Sequence, residues 1–107
     1  MKAVLLALAL VSQSPKPIPV AALPAGTKVG YAKDIVDILD AKCVGCHSSA
    51  LAESKLKLET VAEMLKGGKK GPAIVSGKAD DSLLFKMAAH RVEPVMPPKD
   101  KKGAVPL

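Results

Sequence analysis

The sequence predicts an all-α fold: three short helices and long loops, folded around a group that the chain itself does not supply. Three observations carry this expectation. Apolar residues recur at helical spacing in three stretches, and no stretch alternates convincingly as a strand. Large side chains are scarce, since Tyr31 and Phe85 are the only aromatic residues. A domain of under about 80 residues with so little to bury is marginal unless a metal, a disulfide or a bound apolar body completes its core.

Taken in order, the chain opens with Met1-Lys2 and an apolar run from Ala3 to Val11. That run is too short to span a bilayer, which takes ~20 residues, and a charged start before an apolar stretch has the form of a secretory signal. Residues 1–22 are read as that signal. Val20-Ala21-Ala22 offers small residues for cleavage, and Ser12 and Ser14 lie nearer the apolar run. Pro15, Pro17, Pro19 and Pro24, followed by Gly26 and Gly30, favour extended, semi-rigid chain that builds no core. Residues 23–30 are read as a linker and residues 31–107 as the domain.

The first helix is expected over Tyr31–Lys42, where Tyr31, Ile35, Ile38 and Leu39 share a face and Asp34, Asp37 and Asp40 interleave. Leu56-Lys57-Leu58 reads as a short extended piece. Thr60 and Glu63 then form a capping-box pattern ahead of a helix bearing Val61, Met64 and Leu65, which Gly67-Gly68 stops. Lys69 to Gly77 reads as a rigid loop with one apolar patch. Asp80-Asp81-Ser82 supplies N-cap candidates for a third helix, with Leu83, Leu84, Met87 and Ala88 on its face, ending near Arg91. Glu93-Pro94-Val95-Met96-Pro97-Pro98 cannot be helical.

The first helix delivers the residues on which the chain is organised, Cys43-Val44-Gly45-Cys46-His47. This is C-x-x-C-H, the attachment pattern of c-type haem. Two thiols three positions apart can reach one edge of a porphyrin and bond its vinyl groups, and the next residue then directs an imidazole at the iron. Small residues between the cysteines let the backbone lie against the ring. Both cysteines of the chain are in the motif. The competing readings are a thiol redox pair, a Cys43–Cys46 disulfide and a zinc site. The first lacks a surrounding βαβ pattern, and the last lacks a close second pair of ligands, because the other histidine, His90, is far along the chain. One covalent haem c is therefore the expected cofactor.

A second axial ligand could come from Met64, Met87, Met96 or His90. Met64 and Met87 stand at helical core positions, where methionine fills gaps. Met96 is in a loop held by Pro97 and Pro98, which restrict the chain and favour presentation of its thioether, so His47 and Met96 are the expected iron ligands. The other ring nitrogen of His47 needs a carbonyl to orient it, and Pro72 is the candidate supplier.

The order of Cys43–His47, Leu56-Lys57-Leu58, Gly67-Gly68, Gly71-Pro72-Ala73-Ile74-Val75, Gly77-Lys78, Ser82-Leu83-Leu84 and Met96-Pro97-Pro98 resembles the planctomycete-type cytochrome c domain over about residues 31–100. The resemblance implies a cytochrome c-like fold with His47 and Met96 as axial ligands, in a domain that often occurs within larger multidomain exported proteins. Members of that family continue past the M-P-P loop into a final helix, usually with a tryptophan, that packs on the first. Here Ala104-Val105-Pro106-Leu107 stands where it would begin. The departure implies that Ile35 and Leu39 lack their usual cover.

The net charge is +6, and the sixteen basic residues are lysines apart from Arg91. Lys66, Lys69 and Lys70 cluster, as do Lys99, Lys101 and Lys102. Such clusters either solvate the surface or steer an acidic redox partner. Nucleic acid is a poor fit to a chain with one arginine and no aromatic platform. The function expected is an exported, periplasmic or otherwise extracytoplasmic monohaem c-type cytochrome that carries single electrons and is not itself an enzyme. The alternatives are an open iron site with gas-sensing or peroxidase-like chemistry, and a zinc or thiol structural module.

Overall fold

A computed structural model describes residues 16–98. The apolar run Ala3–Val11, the lysines at 99, 101 and 102 and the terminal Ala104–Leu107 lie outside the described residues. Within them the regular elements are helical, and no strand occurs beyond two isolated bridges, His47 with Ala52 and Gly68 with Gly71. The helices are α1 (Val36–Lys42), α2 (Val61–Lys66) and α3 (Leu83–Ala88). Single 3₁₀ turns stand at Glu53–Lys55 and Ala79–Asp81.

A π-turn over Tyr31–Ile35 leads into α1. The carboxylate of Asp34 accepts the Gly30 N–H at 2.8 Å, so an amide that the first turn leaves without a helical partner is satisfied locally. Helix α1 buries Leu39 against Leu58, Met64 and Ala73, with Ile35 packed at the edge. The expected loss of cover is thus corrected for Leu39, which is buried in one cluster with Leu58, Met64 and Ala73, from the segment before α2, α2 itself and the loop after it. Tyr31 and Ile38 stay exposed.

Thr60 caps α2 as its sequence predicts, accepting the Glu63 N–H at 3.1 Å. The reciprocal half of the capping box is not made, and Glu63 Oε2 is buried without a partner. At α3, Ser82 holds the N-cap position but does not cap. Its hydroxyl instead accepts the Val75 N–H at 2.8 Å and donates towards the carbonyls of Lys78 at 3.0 Å and Val75 at 3.3 Å, which fixes the 75–82 loop to the helix start. Arg91 closes the other end of α3, lying 4.8 Å over the Phe85 ring and 2.8 Å from Asp80.

The proline-rich stretch is extended, yet it is not free of the domain. Ile18 is half-buried and donates its N–H to the Ala89 carbonyl at 2.9 Å. Among the described residues no large side chain is completely buried. The protein core is thin, and the space beside it is the functional site.

Candidate functional site

The motif is built as one turn of helix continuing from α1. Cys43 and Val44 both donate to the Leu39 carbonyl, at 2.8 and 2.9 Å, and the N–H groups of Cys46 and His47 return to the Cys43 carbonyl at 3.2 and 3.1 Å. One turn places residues three and four apart on the same side. Both cysteines accordingly line one cavity of about 320 Å³ together with His47. They are free thiols, and Cys43 is raised above the ordinary thiol range, first by burial and then by the neighbouring Cys46. Burial in an apolar wall disfavours the thiolate, so Cys43 stays protonated at neutral pH.

His47 is buried, and its Nδ1 lies 3.1 Å from the Glu53 carbonyl oxygen and 3.3 Å from that of Leu56. Both oxygens can only accept, so Nδ1 carries the proton and the lone pair of the neutral ring is on Nε2. That is the tautomer a metal needs. The orienting carbonyls are therefore those of Glu53 and Leu56, not the expected Pro72. Pro72 follows a turn that passes beside the 53–56 loop, and His47 is closed instead by its own downstream loop: Glu53 N–H donates to Cys46 at 3.0 Å and Leu58 N–H to His47 at 2.8 Å.

Met96 lines the same cavity, with Pro94, Pro97 and Pro98 beside it and Met87 and Leu84 of α3 contributing apolar wall. Its N–H donates to the Met87 carbonyl at 3.1 Å, and the adjacent Val95 is buried, so the loop is pinned next to the residue that presents the thioether. Met64 is in the core cluster and away from the cavity lining. His90 is buried at φ 57° with Nε2 unpartnered, and it too is outside the lining.

The donor set and the cavity suit a covalently held haem. Two thiols and a correctly tautomerised imidazole meet in an apolar-walled space, with a thioether lining that same space. Gly45 is compatible with this: a Cβ there would meet nothing within 4 Å, and the residue lines the cavity. The backbone at this position is therefore open towards the cavity and leaves room for a flat group lying against the motif. Among the described residues no three His, Cys, Asp or Glu side chains are placed to hold a metal ion between them.

Sequence reasoning missed the carbonyls of Glu53 and Leu56 because a backbone acceptor leaves no mark on residue type. It also missed Leu84 as cavity wall, which its place on the apolar face of α3 could have signalled.

These features define a small helical domain of the c-type haem-binding class. The model of the planctomycete cytochrome C family matches residues 43–100, more than half of the chain, and the chain belongs to that family. It is a c-type cytochrome domain. No curated protein and no solved structure matches it. Among the described residues no helix is long and apolar enough to cross a membrane.

Proposed function

We propose that this domain carries single electrons through one haem c bound to Cys43 and Cys46, with His47 and Met96 as the axial ligands, in an extracytoplasmic compartment. The observation that carries the reading is that Cys43, Cys46, His47 and Met96, from segments about fifty residues apart in sequence, line one cavity. When bound, the haem supplies a one-electron Fe(III)/Fe(II) couple whose potential is set by its axial ligands and surroundings. The chain's own residues do the rest. The thiols of Cys43 and Cys46 would hold the ring edge as thioethers, S–H addition to a vinyl group being a step that needs no external oxidant. Glu53 and Leu56 fix the imidazole, and the apolar residues of α3 exclude water. With His47 held by its loop and Met96 presented by a proline-restricted one, the ligand set would change little between oxidation states, which would favour rapid transfer.

Lys69 and Lys70, at the tip of a turn, also line the cavity, as does Lys42. They fit a redox partner with an acidic docking face, whose association would slow as salt rises. The apolar run of residues 3–11 supports export.

The first test is the intact mass of the protein matured in a host that attaches c-type haem. A mass of chain plus one haem that survives denaturation is expected. A mass of chain alone would overturn the reading and bring back the thiol module. A second reading, an open iron position with gas-binding or peroxidase-like chemistry, draws on how little holds the Met96 loop. Carbon monoxide added to the reduced protein separates the two, since a His/Met iron resists it and an open one binds it at once.

A further inference from the structure

The loop that orients His47 is itself under strain. Between the two carbonyls that face Nδ1 lie Ser54 and Lys55, with φ of 55° and 59°. Left-handed backbone is unfavourable for a residue other than glycine, so it persists only where surrounding structure imposes it. What imposes it here is the turn after α2. Lys69 donates its N–H to the Ser54 carbonyl at 2.8 Å. Gly68 lies so close to the loop that a Cβ would overlap the Ser54 carbonyl oxygen and crowd Leu56, at 2.9 Å from its nitrogen and 3.0 Å from its Cβ. The turn is closed on itself, Gly68 and Gly71 exchanging N–H···O bonds at 3.3 and 3.1 Å, and Ala73 anchors it by donating to the Met64 carbonyl at 2.8 Å.

The two adjacent glycines do different jobs. A Cβ on Gly67 would strike the backbone of Gly71 and Pro72, so its absence lets the turn close. A Cβ on Gly68 would strike the loop that holds His47. Gly77 offers a contrast: its φ is 73°, but a Cβ there would meet nothing within 4 Å.

We propose that the Gly67–Gly71 turn is the positioning element for His47, with Gly68 and the Lys69 amide clamping the Glu53–Leu56 loop in the left-handed form that aims two carbonyls at Nδ1. The inference rests on the reading of His47 as the iron ligand. A held Nδ1–H makes the imidazole a stronger donor and favours the ferric state. Gly68 and Lys69 thus act on the reduction potential through His47, without reaching the iron.

The test compares the haem-loaded wild type with G68A and G77A. The readouts are solvent exchange of the His47 Nδ1 proton by NMR, midpoint potential and Tm. G68A is expected to speed that exchange at least about tenfold, the loss of roughly one hydrogen bond, and to shift the potential upward. G77A is expected to lower Tm alone, through strain at a positive φ. Exchange and potential in G68A no different from those of wild type or G77A would overturn the clamp. Should G68A fail to mature, native-state exchange on the wild type decides. The Lys69 amide and the His47 Nδ1 proton are expected to open in one reaction, and separate openings would overturn the proposal. A wild type that takes up no haem would overturn the ligand reading itself, before any variant is compared.

Discussion

On one wall of the cavity, His47 sits in a segment tied along its length. Cys43 is bonded back to α1, Glu53 to Cys46, Ser48 to Leu51 and Leu58 to His47, and two more carbonyls meet the ring. On the other wall, Met96 belongs to a segment, residues 92–98, that makes one backbone hydrogen bond to the rest of the described chain, from Met96 to Met87. Its remaining hold is the buried Val95 and the stiffness of Pro94, Pro97 and Pro98. The first wall is fixed by a network in which losing any one bond leaves several. The second is fixed by one bond and one side chain. On the proposed reading this asymmetry is tolerable, because the cysteine side would have to hold the haem permanently, while the methionine side would need only to keep a comparatively weak ligand in place.

The largest effect expected is from removing both thiols. Cys43→Ala with Cys46→Ala should abolish covalent attachment, so that the denatured mass returns to that of the chain alone. Retention of haem mass would break the comparison at its stronger wall. Next comes Met96→Ala, which should leave the haem mass unchanged while the reduced protein begins to bind carbon monoxide and the midpoint potential falls, since methionine ligation raises it. Unchanged carbon monoxide resistance would move the sixth ligand elsewhere.

Val95→Ala tests whether one side chain pins the distal loop. Removing two buried carbons and leaving a void should cost about 2 kcal/mol in denaturant unfolding. The same variant should admit carbon monoxide more readily than wild type while attachment is untouched. Thr60→Ala sharpens the opposite side. Loss of the cap on α2 should cost about 1 kcal/mol, with the potential unmoved, because α2 supports the core beneath the first wall and not the ligand directly.

The smallest effect concerns Glu59, whose carboxylate accepts the Ser49 N–H and is held below its ordinary range chiefly by that bond. A carboxylate whose folded pKa is lowered stabilises the fold above its unfolded value and loses that contribution as pH falls through the lowered one. Glu59→Gln should therefore destabilise slightly at neutral pH, and the difference from wild type should vanish in acid. A difference that persists below the carboxylate range would assign Glu59 a role other than its charge.

Much of this molecule was legible in its sequence, and the parts that were not share a cause. The periodicity of Tyr31, Ile35, Ile38 and Leu39 marked a helical stretch, which forms as a π-turn over Tyr31–Ile35 and then α1, with Tyr31 and Ile38 left exposed. Thr60 marked the start of α2, and the prolines around Met96 marked a loop. In each case the signal lies within a few residues of its consequence. Pro72 failed as the partner of His47 because the choice among carbonyls depends on which loop the fold brings alongside. Ser82 looked like a cap and became a bracket for the 75–82 loop, since its hydroxyl met Val75 and Lys78 before any helix amide. Leu39 is covered by Leu58, Met64 and Ala73, a cover that the first helix alone could not reveal.

By itself the sequence determined the chemistry: two thiols and an imidazole at the spacing of one helical turn, and a methionine among prolines, are local facts that survive in any arrangement of the chain. Only the tertiary structure decided that these residues share a cavity, which nitrogen of His47 is left to bind, and which glycine presses on the loop behind it. Those outcomes depend on backbone groups meeting across long separations in sequence. A carbonyl or an amide is the same at every residue, so nothing in the letters records which of them will be near.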